Sequence, residues 1–277
     1  MIRMKCLALL LALALPLLAQ EDTVGKHPEA DPARPTITNP AHIPPSGYLQ
    51  FEQGVQILAD SPNDDTSRIK HQININNTTK LALNKRLMIF VQNEPIAHTS
   101  YTPDAPTTND TGDVLVGGQV VFVDFKHGHG TIPSISGAYN RRVRLGTAPN
   151  SDLGGTVQGV TLLAGGSGFK LHYDTNVIFN ETQGNGPQRR LQTIETIAVS
   201  YDLTKSISAT LELWHGTQPL THGHAAGDLH VITYTPMSNI VFDAGFNHGL
   251  TSTSSQWTGF FGVTYLLPHR LWNPPAK

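Results

Sequence analysis

An all-β fold, an antiparallel transmembrane β-barrel of about twelve strands, is predicted for residues 47–267 by three observations. Apolar and polar side chains alternate with period two in segment after segment, a pattern no helix accommodates. The connections run long, tight, long, tight, as in bacterial outer-membrane barrels, which carry short turns on one rim and longer loops on the other. Charged residues make up only 14% of the chain, against roughly 25% in soluble domains, as a lipid-facing surface requires.

The strands predicted in chain order are 48–58, 68–82, 87–93, 113–125, 131–143, 157–165, 169–181, 189–201, 206–216, 227–235, 240–249 and 256–267. The clearest is 169–181, where Phe169, Leu171, Tyr173, Thr175, Val177 and Phe179 share one face and Lys170, His172, Asp174, Asn176, Ile178 and Asn180 the other. In 68–76, Ile69, His71, Ile73 and Ile75 oppose Arg68, Lys70, Gln72, Asn74 and Asn76. Ile207, Ala209, Leu211 and Leu213 alternate with Ser206, Ser208, Thr210 and Glu212. Ile240, Phe242, Ala244 and Phe246 alternate with Val241, Asp243, Gly245 and Asn247, and Trp257 to Leu267 repeats the rule. In 189–201, Glu195 falls among Thr193, Ile197, Val199 and Tyr201, which leaves the facing of that strand open.

The tight connections are Leu83 to Arg86, Lys126 to Gly130, Gly165 to Gly168, Asp202 to Lys205 and Pro236 to Asn239. The long ones are 59–67, 94–112, 144–156, 182–188, 217–226 and 250–255. An even strand number puts both chain ends on the periplasmic side with the short turns. A secreted two-sheet protein would alternate in the same way with its apolar face packed inward. The loop asymmetry, the low charge and the apolar last strand favour the membrane. Aromatic residues, at 7%, are sparse for a barrel with aromatic girdles.

Residues 1–19 read as a signal peptide: Arg3 and Lys5, the apolar run Leu7 to Leu18, then Ala19 before Gln20. That run is too short to span a bilayer, which takes about 20 apolar residues. Cys6 is the sole cysteine and lies within this segment, so the exported chain has no disulfide. Residues 20–46, rich in proline and charge, read as a periplasmic linker, with no sequence reason to call it a plug. Residues 268–277 form a periplasmic tail whose prolines cannot continue a ladder. The expected location is the outer membrane of a Gram-negative-type bacterium.

Composition excludes several functions. A net charge of −2 with no basic stripe argues against nucleic acid as a partner. Gly117-Gly118 and Gly165 to Gly168 open no helix and precede no Lys-Ser/Thr, so no phosphate loop is present and no cofactor is expected. His127-Gly128-His129 falls in a periplasmic turn and His222-Gly223-His224 in an extracellular loop. They cannot share an ion, each pair is two ligands short of a tetrahedral site, and no metal is assigned. No Gly-x-Ser-x-Gly elbow is present, so no catalytic residue is assigned either.

What remains is a polar inner wall. Arg68, Lys70, Lys170, His172, Asp174, Asn176, Glu212, Asp243 and Asn247 are the candidates to line the lumen. Position 176 is expected to face water and tolerate arginine, whereas Val177 is expected to face lipid.

The stretches Pro133-Ser134-Ile135-Ser136-Gly137-Ala138-Tyr139, Gly168 to Asn176, Asn239 to Thr251 and Phe261-Gly262-Val263-Thr264-Tyr265 carry a resemblance. They resemble a family of bacterial outer-membrane barrels named for the MetA pathway of phenol degradation. The resemblance covers most of 113–267 and implies a barrel of roughly twelve strands that serves as a transporter. Gly262-x-x-Tyr265-x-Leu267 is similar to the final-strand signal read by the barrel-assembly machinery, displaced inward by about ten residues. The expected function is a channel for passive passage of small solutes, with outer-membrane lipid, the assembly machinery and those solutes as partners. The alternatives are a closed structural or surface-interaction barrel and, more remotely, an outer-membrane hydrolase. Sequence leaves the oligomeric state open.

Overall fold

The computed structural model describes residues 28–62, 68–102, 106–125, 133–149, 155–168, 170–183, 188–219 and 223–272. The predicted signal peptide, His127, His129 and His222 lie outside these residues. Thirteen strands form one antiparallel sheet: β1 (Leu49–Pro62), β2 (Arg68–Ala82), β3 (Leu87–Thr102), β4 (Thr108–Asp110), β5 (Val114–Val123), β6 (Ser134–Arg144), β7 (Thr156–Gly168), β8 (Leu171–Gln183), β9 (Arg189–Asp202), β10 (Ile207–Gln218), β11 (Gly223–Met237), β12 (Ile240–Gly249) and β13 (Trp257–Leu266). β4 is a three-residue spur paired to β3. The other twelve close on themselves, because β1 pairs with both β2 and β13 and β3 pairs with both β2 and β5. The seam sets Phe51 against Tyr265 and Gly54 against Gly262.

Alternation sorts the strands into two faces. On β9, Gln192, Ile194, Thr196 and Ala198 are buried inside, while Leu191, Ile197, Val199 and Tyr201 are exposed outside. Glu195 shares that outer face, where its Oε2 lies 2.9 Å from His215 Nδ1, which settles the facing left open by sequence. Around the barrel the outer face is apolar: Ile57, Ile73, Leu162, Leu213, Ile232 and Phe261 are all exposed.

Three expectations need correction. The turn after β7 is not at Gly165 to Gly168: β7 runs through Gly168, which pairs with Leu171, so the reversal lies beyond these residues. Lys170 therefore sits in the turn with φ at 64° and is exposed, so it does not line the lumen. Lys70 is exposed and Arg68 half-buried at the strand end, neither on the inner face, because β2 has an irregular register against β3 between Ile69 and His71. One extra residue there reverses the facing, so Ile69 and Gln72, three apart, are both buried. Arg68 instead pairs with Asp60 at the strand end, 2.6 Å away. The long connections 94–112 and 217–226 are also largely strand, since β3 reaches Thr102 and β11 begins at Gly223.

The closing seam makes a specific demand. In a Cys6→Ser background, Phe51→Cys with Tyr265→Cys places two outward thiols at opposed positions, within disulfide reach. Oxidation is expected to give an intramolecular cross-link, seen as a mobility change on non-reducing gels. A pairing shifted by one residue would send the two side chains to opposite faces and give none.

Candidate functional site: a strap across the lumen

Residues 28–46 do not lie outside the barrel as a linker. They enter the lumen from the short-turn rim, cross it and return, and the inner wall holds them by hydrogen bonds. Ala30 N donates to the Ser238 carbonyl in the β11–β12 turn. Asp31 N donates to Gln50 Oε1 at 2.9 Å, and Gln50 Nε2 donates back to the Asp31 carbonyl at 2.6 Å. Ile37 N and Thr38 N donate to the Glu212 carboxylate at 3.0 and 2.7 Å, and the Thr38 hydroxyl lies 2.7 Å from both Glu212 Oε1 and Thr196 Oγ1. Asn39 exchanges two bonds with Asn176, at 2.7 and 2.9 Å. On the return, Gln119 Nε2 lies 3.1–3.3 Å from the carbonyls of Pro40, Ala41 and His42, and Ser136 Oγ donates to the Ala41 carbonyl. Ile43 then packs on Ala82, Met88 and Val121 at the rim, and Gly47 N donates to the Ala82 carbonyl.

The strap is extended and proline-rich, so it has few backbone bonds of its own and its amides are free to serve the wall. A buried carboxylate such as Glu212, 0% exposed, is tolerable only when donors surround it; here the strap supplies them. Position 176 follows the same logic. Asn176 is 1% exposed and bonded to the strap, so arginine there is expected to displace Asn39, contrary to a wet lumen at that level.

Arg34 enters deepest on the seam side. Its guanidinium lies over the opposed Gly54 and Gly262, where a Cβ added at either position would collide with Arg34 Nη2. The paired glycines make a dent in the wall that only a missing side chain provides. Arg34 Nε is 3.8 Å from Asp243 Oδ2, close enough for attraction but too far for a hydrogen bond. Alongside, Lys80 Nζ and Glu52 Oε1 form a buried pair at 2.5 Å, and that oxygen also accepts from Gln50.

Above the strap, toward the long-loop rim, lies a cavity of about 470 Å³. Arg34, Thr36 and Ile37 form its floor, and Gln56, Gln72, Asn74, Asn76, Gln92 and Asn93 supply a wall of amides. Trp214 and Leu229 add an apolar side, with the indole Nε1 donating to Asn247 Oδ1 at 2.7 Å. Among the described residues, Asn74 Oδ1 and Asn76 Oδ1 are buried without a protein donor, and Arg34 Nε and Nη2 without a hydrogen-bond acceptor. Such atoms in an open chamber are suited to meet water or a polar solute.

Of the nine residues singled out by sequence, Asp174, Asn176, Glu212, Asp243 and Asn247 are buried on the inner face and His172 is half-buried beside them. Arg68, Lys70 and Lys170 are not there. Missed were Gln50, Glu52, Lys80, Thr196, Gln119 and the strap's Arg34, Thr38 and Asn39. The period-two signal was available for the wall residues; nothing in the sequence pointed to the strap.

At the short-turn rim, Ser167 Oγ is 2.7 Å from His172 Nδ1, and His172 Nε2 is 2.6 Å from Asp174 Oδ2. These are the residue types of a hydrolytic triad, but the ring is reversed: in the serine-hydrolase template the nucleophile meets Nε2 and the carboxylate Nδ1.

No protein-family model matches the chain, and no curated protein matches it by sequence. Among solved structures it is similar to the COG4313 outer membrane channel from Pseudomonas putida F1, at 13% identity and a TM-score of 0.58, covering 86% of this chain and 100% of that one. The translocator domain of the autotransporter NalP from Neisseria meningitidis matches at 10% identity and a TM-score of 0.49, covering 95% of each chain. The KdgM porin matches at 11% and 0.48, covering 79% of this chain and 98% of that one. At these identities the first similarity establishes the barrel fold alone, and the other two add no argument.

The Glu212 carboxylate gives the strap its most loaded anchor. Glu212→Ala removes an acceptor shared by two amides and a hydroxyl, expected to cost about 2–4 kcal/mol of local stability. Amide exchange at Ile37 and Thr38 is expected to quicken roughly 30- to 1,000-fold, while exchange in β10 itself changes little. Unchanged exchange in the strap would contradict its anchoring.

Proposed function

We propose that the protein is an outer-membrane channel for small polar solutes whose lumen is closed at the periplasmic rim by its own N-terminal strap. The observation that carries this reading is the amide-lined cavity of about 470 Å³ that ends on the strap. A barrel serving only as scaffold has no need of a solvated chamber lined by hydrogen-bonding groups. A largely apolar outer face on a closed sheet supports insertion in lipid, since each of the twelve barrel strands is paired on both sides. The short turns at 83–86 and 238–239 are consistent with a periplasmic rim, and the Arg3 to Ala19 segment with export by a signal peptide.

The resemblance of the 133–139, 168–176 and 239–251 stretches to the barrels named for the MetA pathway of phenol degradation agrees with this reading, as does the likeness in fold to the outer membrane channel from Pseudomonas putida F1. The amide wall favours solutes that both donate and accept hydrogen bonds over hydrocarbons. Selectivity would then rest on pore width and on Arg34, Lys80, Glu52 and Asp243 around the constriction.

The test is conductance in planar bilayers. The wild type is expected to show small, intermittent steps, because the strap must leave before ions pass. Deletion of residues 28–46 is expected to give larger and longer openings. A deletion variant that folds, inserts and stays silent would sink the channel reading in favour of a closed structural barrel.

A further inference from the structure

Among the described residues, the strap and the wall meet at one cluster of groups that can bind a metal. His42 of the strap and His172 and Asp174 of β8 each present a ligand atom, all three within 4.8 Å of one another. The two imidazole rings meet edge to face with centroids 5.7 Å apart. Each of the three side chains also has a further partner. Asp31 Oδ1 lies 3.0 Å from His42 Nε2. Ser167 Oγ lies 2.7 Å from His172 Nδ1, which leaves Nε2, the nitrogen already turned to Asp174. Asp174 Oδ1 faces the Ala41 amide at 3.4 Å, holding Oδ2 toward the histidine. Outer partners that fix the ring and the free nitrogen are how metal-binding histidines are oriented.

We propose that His42, His172 and Asp174 bind a divalent transition metal of the zinc class, fastening the strap to the wall. Two imidazoles and one carboxylate are a ligand set for such ions, with a fourth position left to water. Metal–ligand bonds of about 2.0–2.2 Å in a tetrahedral site set the ligand atoms roughly 3.3 Å apart, so His172 Nε2 and Asp174 Oδ2, at 2.6 Å, open slightly to admit the ion while the His42 ring adjusts by side-chain rotation. The His42 and His172 side chains are 31% and 33% exposed, so the site is reachable from the short-turn rim. The same set accounts for the reversed triad: Ser167 orients the ring that holds the ion. A metal here bonds residues far apart in sequence and releases the strap only when it leaves. The latching role rests on the channel reading; the binding site does not.

The experiment uses full-length mature protein in detergent, free of any histidine tag, stripped with a chelator and titrated with Zn2+ against a chromophoric indicator. The wild type is expected to bind one tight equivalent. His172→Ala and Asp174→Asn are expected to lose it, by more than the roughly 10- to 100-fold typical of an outer partner, and Ser167→Ala to weaken it within that range. His230→Ala with His248→Ala, which removes both histidines around Asp228 on the outer face, is expected to leave it intact. Should His172→Ala bind as the wild type does, the site is overturned. Should His42→Ala bind as the wild type does, the strap supplies no ligand and the latch is overturned. Because His42→Ala can also unseat the strap, Co2+ is added to the wild type as a second measurement: a tetrahedral visible spectrum is expected, and its absence rejects the coordination. None of these readouts involves conductance, so loss of the channel reading would leave them standing.

Discussion

Closure of the sheet is the constraint from which the rest follows. Once β1 pairs with β13 as well as β2, there is no edge left, and every residue must face either outward or inward. Alternation then produces an apolar exterior and a polar interior in the same stroke. Twelve strands make that interior too wide for wall side chains alone to fill, yet far short of the sixteen or so that enclose an open channel. Glu52, Glu212, Asp243, Lys80 and a set of amides are thereby enclosed at low exposure, where unpartnered polar groups are costly.

The strap answers that cost. It contributes the amides of Ile37, Thr38 and Asn39 to the far wall and the guanidinium of Arg34 to the seam side. The pairing of Lys80 with Glu52 is internal to the wall. Buried pairs of this kind add little net stability but penalise loss of either partner heavily. The short-turn half of the lumen is therefore specified by reciprocal polar contacts. The long-loop half, beyond the strap's reach, remains a chamber. A single chain segment thus divides the interior into a half that it largely fills and a half that holds the larger cavity.

Strand positions were legible because period two is written locally: β2, β9 and β12 fall within a residue of where alternation puts them. The β7–β8 reversal was misplaced because four small residues, Gly165 to Gly168, look like a turn, whereas they run in the ladder opposite Asp174, Tyr173, His172 and Leu171. Arg68 and Lys70 were misassigned because a bulge changes facing without any mark in composition. The strap was illegible for a different reason. Proline and charge say that residues 20–46 cannot build a core of their own, and that is true. They do not say that Thr38 will meet Glu212, because that contact joins residues 174 apart and depends on a wall that exists only after closure. His42 escaped for the same reason, and His172, singled out as a wall residue, carried no sign of its meeting with the strap, while the conspicuous His-Gly-His pairs drew attention elsewhere.

The central claim is that the strap lies in the lumen of the membrane-inserted barrel and controls passage. Thr38 Oγ1 and Thr196 Oγ1, 2.7 Å apart, allow the most direct measurement. In a Cys6→Ser background, Thr38→Cys with Thr196→Cys places a disulfide between strap and wall, and conductance is recorded on the same bilayer before and after a reductant is added. The account predicts silent channels while the bond is intact and the return of openings on reduction. Equal conductance in the two states, with the cross-link verified, would contradict it.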